Sequence, residues 1–268
     1  MIEKLVIGGK KVSKSVKVRD VFIGEGLPKI CVSLIGRTVQ ELREEAALLK
    51  ELPIDIIEWR SDYFAEVDEI GSVTEALHLI RNTIGNIPLL FTFRTAKEGG
   101  ERSIEKEAYF HLNKNMVETG LIDLLDIELF TEEDAMKEVI KLAHSHQIAV
   151  ILSNHDFEKT PSKEEIISRL QKAQQLGADI PKIAVMPQSV KDVLTLLDAT
   201  ATMKEIAADI PIVTMSMGGK GAVSRMAGEI FGSAITFASA KKASAPGQIP
   251  IEELRNILTT LHKSLSYS

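Results

Sequence analysis

The sequence predicts an α/β protein, a (β/α)8 TIM barrel with an N-terminal β-hairpin that closes the barrel floor. Short runs rich in Val, Ile, Leu and Phe recur at intervals of about 30 residues, and amphipathic segments with helical periodicity separate them. Eight parallel strands joined by right-handed crossovers close economically into a barrel, and 268 residues is close to the usual ~250. An open doubly wound sheet is the alternative, but no G-x-G-x-x-G sequence follows the first strand.

The strands are predicted from two different patterns. Residues 4–23 alternate between apolar and polar around Gly8-Gly9, which indicates a hairpin. The later runs are almost continuously apolar, as strands covered on both faces are. They lie at 29–36, 54–62, 88–94, 121–129, 148–156, 179–187, 212–217 and 234–239.

Four of the connecting segments show helical features clearly, at 39–51, 103–119, 160–176 and 251–265. Thr160 and Pro161 fit an N-cap followed by proline at the first helical position. No linker or low-complexity tract interrupts this order. Residues 1–268 are therefore predicted to form a single catalytic barrel domain, with 1–25 as its hairpin extension.

Composition excludes some classes of function. The net charge of −6 argues against a general nucleic-acid binder, which needs a basic surface, but a few local arginines can still bind a small anion. No apolar run approaches the roughly 18 residues of a membrane helix. Residues 1–11 lack the features of a secretory signal. We therefore expect a cytoplasmic protein with no nucleic-acid or membrane partner.

Lys182 is the residue on which the functional argument depends. It stands among apolar neighbours in 179–187, and lysine is rarely buried unless it is paired or catalytic. Loss of water disfavours the charged ammonium, and the neutral amine attacks ketones and aldehydes to form a Schiff base. A lysine that extends its head group to water from a strand end is the alternative.

The other polar residues at the strand ends favour the catalytic interpretation, because barrel active sites lie at the carboxyl ends of the strands. They are Glu58, Arg60, Arg94, Asp126, Glu128, His155 and, after the seventh strand, Arg225. An amine, an imidazole, arginines and carboxylates together suit Schiff-base chemistry on a keto acid, with a proton removed beside the carbonyl. Glu128 is interpreted as a structural ion-pair partner.

Two other functions fit the same set of residues. A class I aldolase would need much the same residues, and a catalytically silent barrel that binds a small acid is a third possibility. The glycine-rich stretch at 218–221 suits an anion of either kind. A divalent metal on the carboxylates is disfavoured, because arginines and a lysine are interleaved with them.

Several segments, in order, resemble the type I 3-dehydroquinate dehydratase family from about residue 24 onward. They are EWR at 58–60, FTFRTAKEGG at 91–100, SNHDF at 153–157, DIPKIAVMP at 179–187, SR at 224–225 and KKASAPGQ at 241–248. The resemblance implies dehydration of 3-dehydroquinate to 3-dehydroshikimate through a lysine Schiff base, the third step of the shikimate pathway. It also implies a homodimer, no cofactor and no metal.

The resemblance also implies roles for individual residues. Lys182 forms the imine, His155 is the general acid and base, and Glu98 holds His155 in place. Arg225 binds the substrate carboxylate, while Ser244 and Gln248 belong to a loop at 241–250 that is expected to close over it. The remaining substrate-binding residues are Ser33, Glu58, Arg60 and Arg94, with Met217, Phe237 and Ala245 lining the pocket.

Overall fold

The computed structural model of the chain describes residues 6–7, 10–11, 14–240 and 245–265. The strands within these ranges are β1 (Val6–Ile7), β2 (Lys10–Lys11), β3 (Val16–Val18), β4 (Val21–Ile23), β5 (Lys29–Leu34), β6 (Ile56–Arg60), β7 (Leu89–Thr92), β8 (Leu124–Glu128), β9 (Ala149–Asp156), β10 (Ile180–Val185), β11 (Val213–Ser216), β12 (Ile235–Ser239) and β13 (Ile249–Pro250). The α-helices are α1 (Val39–Lys50), α2 (Ile70–Ile84), α3 (Lys106–Glu118), α4 (Glu133–Ser145), α5 (Lys163–Gln175), α6 (Val190–Thr202), α7 (Ala222–Met226), α8 (Gly228–Phe231) and α9 (Ile251–Leu265).

The strands β5 to β12 form the predicted (β/α)8 barrel. They run in one parallel sheet in the order β11-β10-β9-β8-β7-β6-β5-β12, and the short β13 pairs with β12. The barrel closes between β11 and β12 through a bridge of Ile212 and Ser233, where the Ala234 N–H donates to the Ile212 carbonyl at 2.8 Å. The predicted fold class is confirmed.

Two hairpins precede the barrel. β1 pairs with β2 as the Gly8-Gly9 pattern predicts, and β3 pairs with β4. The second hairpin closes the floor, because Val18 and Ile23 are buried against the inward-facing residues at the bases of the barrel strands. Arg19, at the tip of this hairpin, donates to Asp123 at 2.7 Å and so ties the hairpin to the start of β8.

The alternation of side chains along the strands separates an apolar floor from a polar mouth. The first inward residues are apolar: Cys31, Ile56, Leu90, Leu124, Ile151, Ile180, Val213 and Ile235. Two positions further along the same strands come Ser33, Glu58, Thr92, Asp126, Ser153, Lys182, Met215 and Phe237. A period of two therefore brings the polar residues of distant strands to one level of the barrel.

Outside the sheet, the helices bury their apolar faces against the outward-facing strand residues. Trp59 lies in this layer, with its ring edge-on to Phe64 and Phe91 at centroid distances of 6.0 and 5.6 Å. No helix in the described ranges is long and apolar enough to cross a membrane.

The start of α5 differs from the prediction. The helix begins at Lys163 rather than Pro161, and its N-cap is Ser162, whose side chain accepts from the Glu165 N–H at 3.3 Å. Thr160 instead donates its hydroxyl to the Met186 carbonyl at 3.0 Å. A hydroxyl bonded to the end of the neighbouring strand is no longer the cap, and the next serine takes that role.

Candidate active site

A cavity of about 510 Å³, part of it open to solvent, lies at the carboxyl ends of the barrel strands. It collects most of the residues singled out in the sequence, from six strands and the loops that follow them. Its lining includes Glu58, Arg60, Arg94, Glu98, His155, Lys182, Met217, Arg225, Phe237, Ala245 and Gln248, together with Gly99, Phe157, Ala184 and Met215.

Lys182 lies at the bottom of this cavity and is 5% exposed. Its Nζ is 3.0 Å from Asp126 Oδ2 and 4.7 Å from the centre of the Phe237 ring. The lysine therefore does not extend to bulk water. It stands between a carboxylate on β8 and an aromatic face on β12, with its head group lining the cavity.

Asp126 connects Lys182 to a buried ionic cluster. Its Oδ1 accepts from Arg94 Nη2 and from the Ser153 hydroxyl, both at 2.6 Å. Burial alone would raise the pKa of Asp126, but the charges of Arg94 and Lys182 and the Ser153 hydrogen bond outweigh it and hold the pKa at about 2. Asp126 is therefore a fixed negative charge beside the lysine.

Arg94 is surrounded by carboxylates. Besides Asp126 it contacts Glu128 at 3.2 Å and Glu98 at 3.7 Å. Burial opposes the charge of Arg94, yet the three carboxylates together raise its pKa. Glu128 also accepts from the Thr95 N–H and hydroxyl, each at 2.8 Å, and so forms the structural ion pair that was predicted for it.

Glu98 holds His155 at the wall of the cavity. Glu98 Oε2 accepts from the His155 backbone N–H and lies 2.9 Å from Nδ1 of the ring. The carboxylate needs a proton on Nδ1 for this hydrogen bond, which leaves the lone pair on Nε2. Burial, and then the positive charges of Arg94, Lys182 and Arg60, lower the pKa of His155 well below its usual value, so the neutral ring is favoured.

A tight turn at Ala96–Glu98 brings Glu98 to this position. Gly99 follows with φ of +81°, a left-handed conformation that glycine adopts most readily, and a Cβ there would lie 2.2 Å from the Phe157 ring. A Cβ on Gly100 would lie 1.9 Å from the Arg94 carbonyl oxygen. Glycine at 99 and 100 therefore allows a backbone conformation in which a side chain at either position would clash with Phe157 or Arg94.

Glu58 and Arg60 reach the cavity from β6. Glu58 accepts from the Ser33 hydroxyl at 2.5 Å and the Thr92 hydroxyl at 3.0 Å. Arg60 makes a bidentate ion pair with Asp62, in which both N–O distances are 2.8 Å. Ser33 itself lines a neighbouring cavity rather than this one and touches the site through Glu58.

Arg225 differs from the other two arginines. It is 1% exposed, and its guanidinium donates to the backbone carbonyls of Pro246 and Phe237 at 3.1 and 3.4 Å. Within the described ranges no carboxylate pairs with Arg225, and its Nε has no hydrogen-bond partner. Burial lowers its pKa to about 10, so it is still charged at neutral pH. A buried, charged donor of this kind suits an incoming carboxylate.

The loop after β12 reaches the site next to Arg225. The Gly218 N–H donates to the Pro246 carbonyl at 3.1 Å, and Gln248 and Ala245 line the cavity. Ser244, predicted to bind substrate, lies outside the described residues, as does the first part of the 241–250 loop.

Sequence reasoning did not assign two features of this site. It included Asp126 among the polar residues at the strand ends without a role of its own, although Asp126 contacts Lys182 directly. It also passed over Asn154, whose Nδ2 donates to Glu98 at 3.2 Å. Asn154 directly precedes the predicted site residue His155, and Asp126 occupies the same inward position of its strand as Glu58 and Lys182, so position along the strands was the available signal.

The barrel and the residues at its mouth define an enzyme of the (β/α)8 class. Residues 30–265 match the family model described as type I 3-dehydroquinase. The chain belongs to the type I 3-dehydroquinase family, as its sequence motifs predicted.

Individual relatives support this family membership. The chain is 58% identical to 3-dehydroquinate dehydratase from Bacillus licheniformis over 94% of this chain and 99% of the relative. It is 57% identical to the enzyme of the same name from Salmonella agona, over 94% of this chain and all of the relative. The crystal structure of type I 3-dehydroquinate dehydratase from Clostridium difficile, with covalent modified comenic acid, superposes with a TM-score of 0.92 at 55% identity and covers 94% of this chain and 99% of that one.

Proposed function

We propose that the protein dehydrates 3-dehydroquinate to 3-dehydroshikimate, the third step of the shikimate pathway, through a Schiff base on Lys182. One observation carries the proposal: a buried lysine and a half-buried histidine line the same cavity as an arginine that has no carboxylate partner among the described residues. The names of the relatives specify the reaction. The C. difficile structure with covalent modified comenic acid agrees with covalent chemistry in this family.

Arg225 is the proposed carboxylate site. A substrate carboxylate that reaches this guanidinium displaces no ion pair in the described part of the chain, whereas Arg60 and Arg94 are already held by carboxylates. Glu58, Arg60 and Arg94 then bind the substrate hydroxyls at the opposite side of the cavity. Gln248 and Ser244 contribute from the loop, and Ser33 acts by holding Glu58.

Lys182 is the proposed nucleophile. Nζ starts as an ammonium, bonds to the ketone carbon and passes two of its three protons to the ketone oxygen, which leaves as water; the nitrogen keeps the third proton in the imine. The protonated imine keeps a positive charge on the nitrogen that carried it in the lysine. Asp126, 3.0 Å from Nζ, therefore stabilises the same charge before and after the imine forms.

His155 is the proposed proton carrier. Its Nε2 removes a proton from the carbon beside the imine, and the electron pair moves onto the imine nitrogen to give an enamine. The enamine expels the hydroxyl next to the carboxylate, which takes the proton from His155 and departs as water. Hydrolysis of the new imine releases the product and restores Lys182. These steps balance without a cofactor or metal, as the resemblance implies.

Borohydride trapping with 3-dehydroquinate tests this proposal. Intact mass and peptide mapping should locate a reduced adduct on Lys182, and Lys182→Met should give neither adduct nor turnover. Lys220→Met, which changes an exposed lysine near the mouth, is the matched control and should trap normally. His155→Ala should still form an adduct but lose turnover by about a thousandfold, typical of a lost general acid and base.

Two results would contradict the proposal. Dehydration by a well-folded Lys182→Met variant would exclude the Schiff base. Adducts formed with sugar phosphates alone, without dehydration of 3-dehydroquinate, would favour a class I aldolase.

We also propose that the protein is a homodimer. Four well-exposed apolar side chains lie on the neighbouring helices α6, α7 and α8: Val190, Leu194, Val223 and Ile230. A second copy that covers them would remove this apolar surface from water. Leu194→Glu should halve the mass measured by light scattering, whereas Ile206→Glu, on the turn that follows α6, should not.

A cytoplasmic location remains a prediction, to be tested by cell fractionation.

A further inference from the structure

The hydrogen bonds that hold His155 continue beyond the cavity to the outer helical layer. Glu98 accepts from His155 through Oε2 and from Asn154 Nδ2 through Oε1. Asn154 Oδ1 in turn accepts from Arg169 Nη1, on α5, at 2.8 Å. Neither Asn154 nor Arg169 lines the cavity. A chain of three hydrogen bonds thus joins a helix outside the barrel to the imidazole at its mouth.

Arg169 determines which way the Asn154 amide points. A guanidinium has only donors, so the group that faces it must be the amide oxygen. The amide nitrogen must then face Glu98, where it donates. If Arg169 were absent, the amide could turn and present its oxygen to Glu98, which would replace an attraction by a repulsion.

Arg169 is itself held in place from outside. Its Nε donates to Glu165 at 2.8 Å, and its guanidinium packs on the Phe130 ring, 5.3 Å from the centre. Lys172 packs on the same ring, with its Nζ 5.8 Å from the centre. Both cations pack on Phe130, but of the two it is Arg169 that donates to Asn154.

We propose that Asn154 and Arg169 are positioning residues for the His155–Glu98 pair. Arg169 orients the Asn154 amide, and the amide holds Glu98 as the carboxylate that accepts the proton on His155 Nδ1. The inference rests on the proposed function, because the orientation matters to catalysis only if His155 Nε2 carries protons.

The electrostatics of Glu98 agree with this role. Glu98 faces Arg94, which follows β7, Asp126 and Glu128 on β8, and His155 on β9. Burial raises the pKa of Glu98 to about 7, with Glu128 and Asp126 acting in the same direction, while Arg94 and the Asn154 hydrogen bond oppose the rise. Near neutral pH the ionised fraction of Glu98 therefore depends on each of its hydrogen-bond donors. Loss of the Asn154 amide donor favours the protonated acid.

The test is the pH profile of kcat/KM for Asn154→Leu, Arg169→Met and Arg169→Lys, with Lys172→Met as the matched control. A hydrogen bond to a charged group is strong enough to move the acid limb upward by about one pH unit in the first two variants. At pH 7 their kcat should fall about five- to tenfold, while KM stays within about twofold of wild type, because neither residue lines the cavity. Arg169→Lys, which keeps a donor, should lie between these and wild type, and Lys172→Met should match wild type.

Three results would overturn the inference. The first is reduced activity in Asn154→Leu and Arg169→Met with an unmoved acid limb, since this indicates only general loosening. The second is an equal shift in Lys172→Met, and the third is wild-type behaviour in both test variants. Borohydride trapping of the same proteins keeps the two proposals distinct: normal trapping with an unmoved limb defeats only this inference, whereas no Lys182 adduct in wild type defeats the proposed function. Near-ultraviolet circular dichroism verifies the fold of each variant.

Discussion

At the scale of single residues, the site is organised by which buried charges have partners. Arg60 and Arg94 are paired with carboxylates inside the protein, whereas the partners of the Arg225 guanidinium among the described residues are carbonyl oxygens and a sulfur. A buried charge without a counter-ion is costly, so a substrate carboxylate that supplies one gains from both attraction and position. The difference between Arg225 and the other two arginines thus predicts the orientation of a bound acid.

Glu98 gives a prediction about stability. Its pKa is raised to about 7 in the folded state, so the stability associated with its protonated form is complete below pH 4.5 and is lost as the pH rises to about 7. Glu98→Gln does not titrate and should avoid this loss. In urea unfolding, the free energy of unfolding of the variant relative to wild type should rise by about 2 kcal/mol between pH 5 and pH 8.

The control for this prediction is Glu66→Gln, which neutralises an exposed carboxylate. Its stability relative to wild type should change little over the same pH range, as expected for a surface charge. A difference between Glu98→Gln and wild type that stays constant from pH 5 to pH 8 would mean that Glu98 is not destabilised by ionisation in the folded state.

At the scale of elements, the turn at Ala96–Glu98 matters most, because it carries Glu98 from β7 to the ring of His155 on β9. The motif resemblance predicted that Glu98 and His155 meet. It did not reveal why the two glycines follow, which is a matter of backbone contact with Arg94 and Phe157. Close approach of atoms from different segments leaves only an indirect trace in the sequence.

This turn gives a second prediction. Gly100→Ala places a Cβ 1.9 Å from the Arg94 carbonyl, so the turn must shift and Glu98 must move away from His155. We expect kcat to fall by roughly 10- to 100-fold, the effect of a displacement of about 1 Å at a catalytic group. Gly71→Ala, in α2 with nothing within 4 Å of its added Cβ, should keep wild-type kcat. Equal kcat in the two variants would show that the turn tolerates the displacement.

At the scale of the whole molecule, the barrel is one layered structure in which the floor supports the mouth. The hairpin of β3 and β4 contributes Val18 and Ile23 to the same apolar cluster as the bases of the strands that carry Glu58, Asp126 and Lys182. If residues 1–268 are a single domain, as the sequence predicts, a weakened floor should lower the stability of the entire barrel.

Ile23→Ala tests this. The side chain is fully buried, so its loss should cost about 2–4 kcal/mol in urea unfolding. Trp59, the only tryptophan of the chain, is buried between β6 and its helices and reports on the barrel by fluorescence. The fluorescence and circular dichroism transitions should move together. Phe22→Ala, 42% exposed on the same hairpin, should cost under about 1 kcal/mol. Separate transitions would contradict a single domain.

Local patterns in the sequence were enough to predict the barrel, the level of its mouth and most of the residues found there. The reason is that strand and helix periodicities are local, and alternation along β6, β8, β9 and β10 sends chosen residues inward whatever their partners are. The pairings appear only in the folded chain: Asp126 lies between Arg94 and Lys182, Asn154 turns toward Glu98, and the second of the two hairpins is the one at the floor. These contacts join segments far apart in the chain, and their distances depend on strand register, barrel closure and turn shape, which no local pattern encodes.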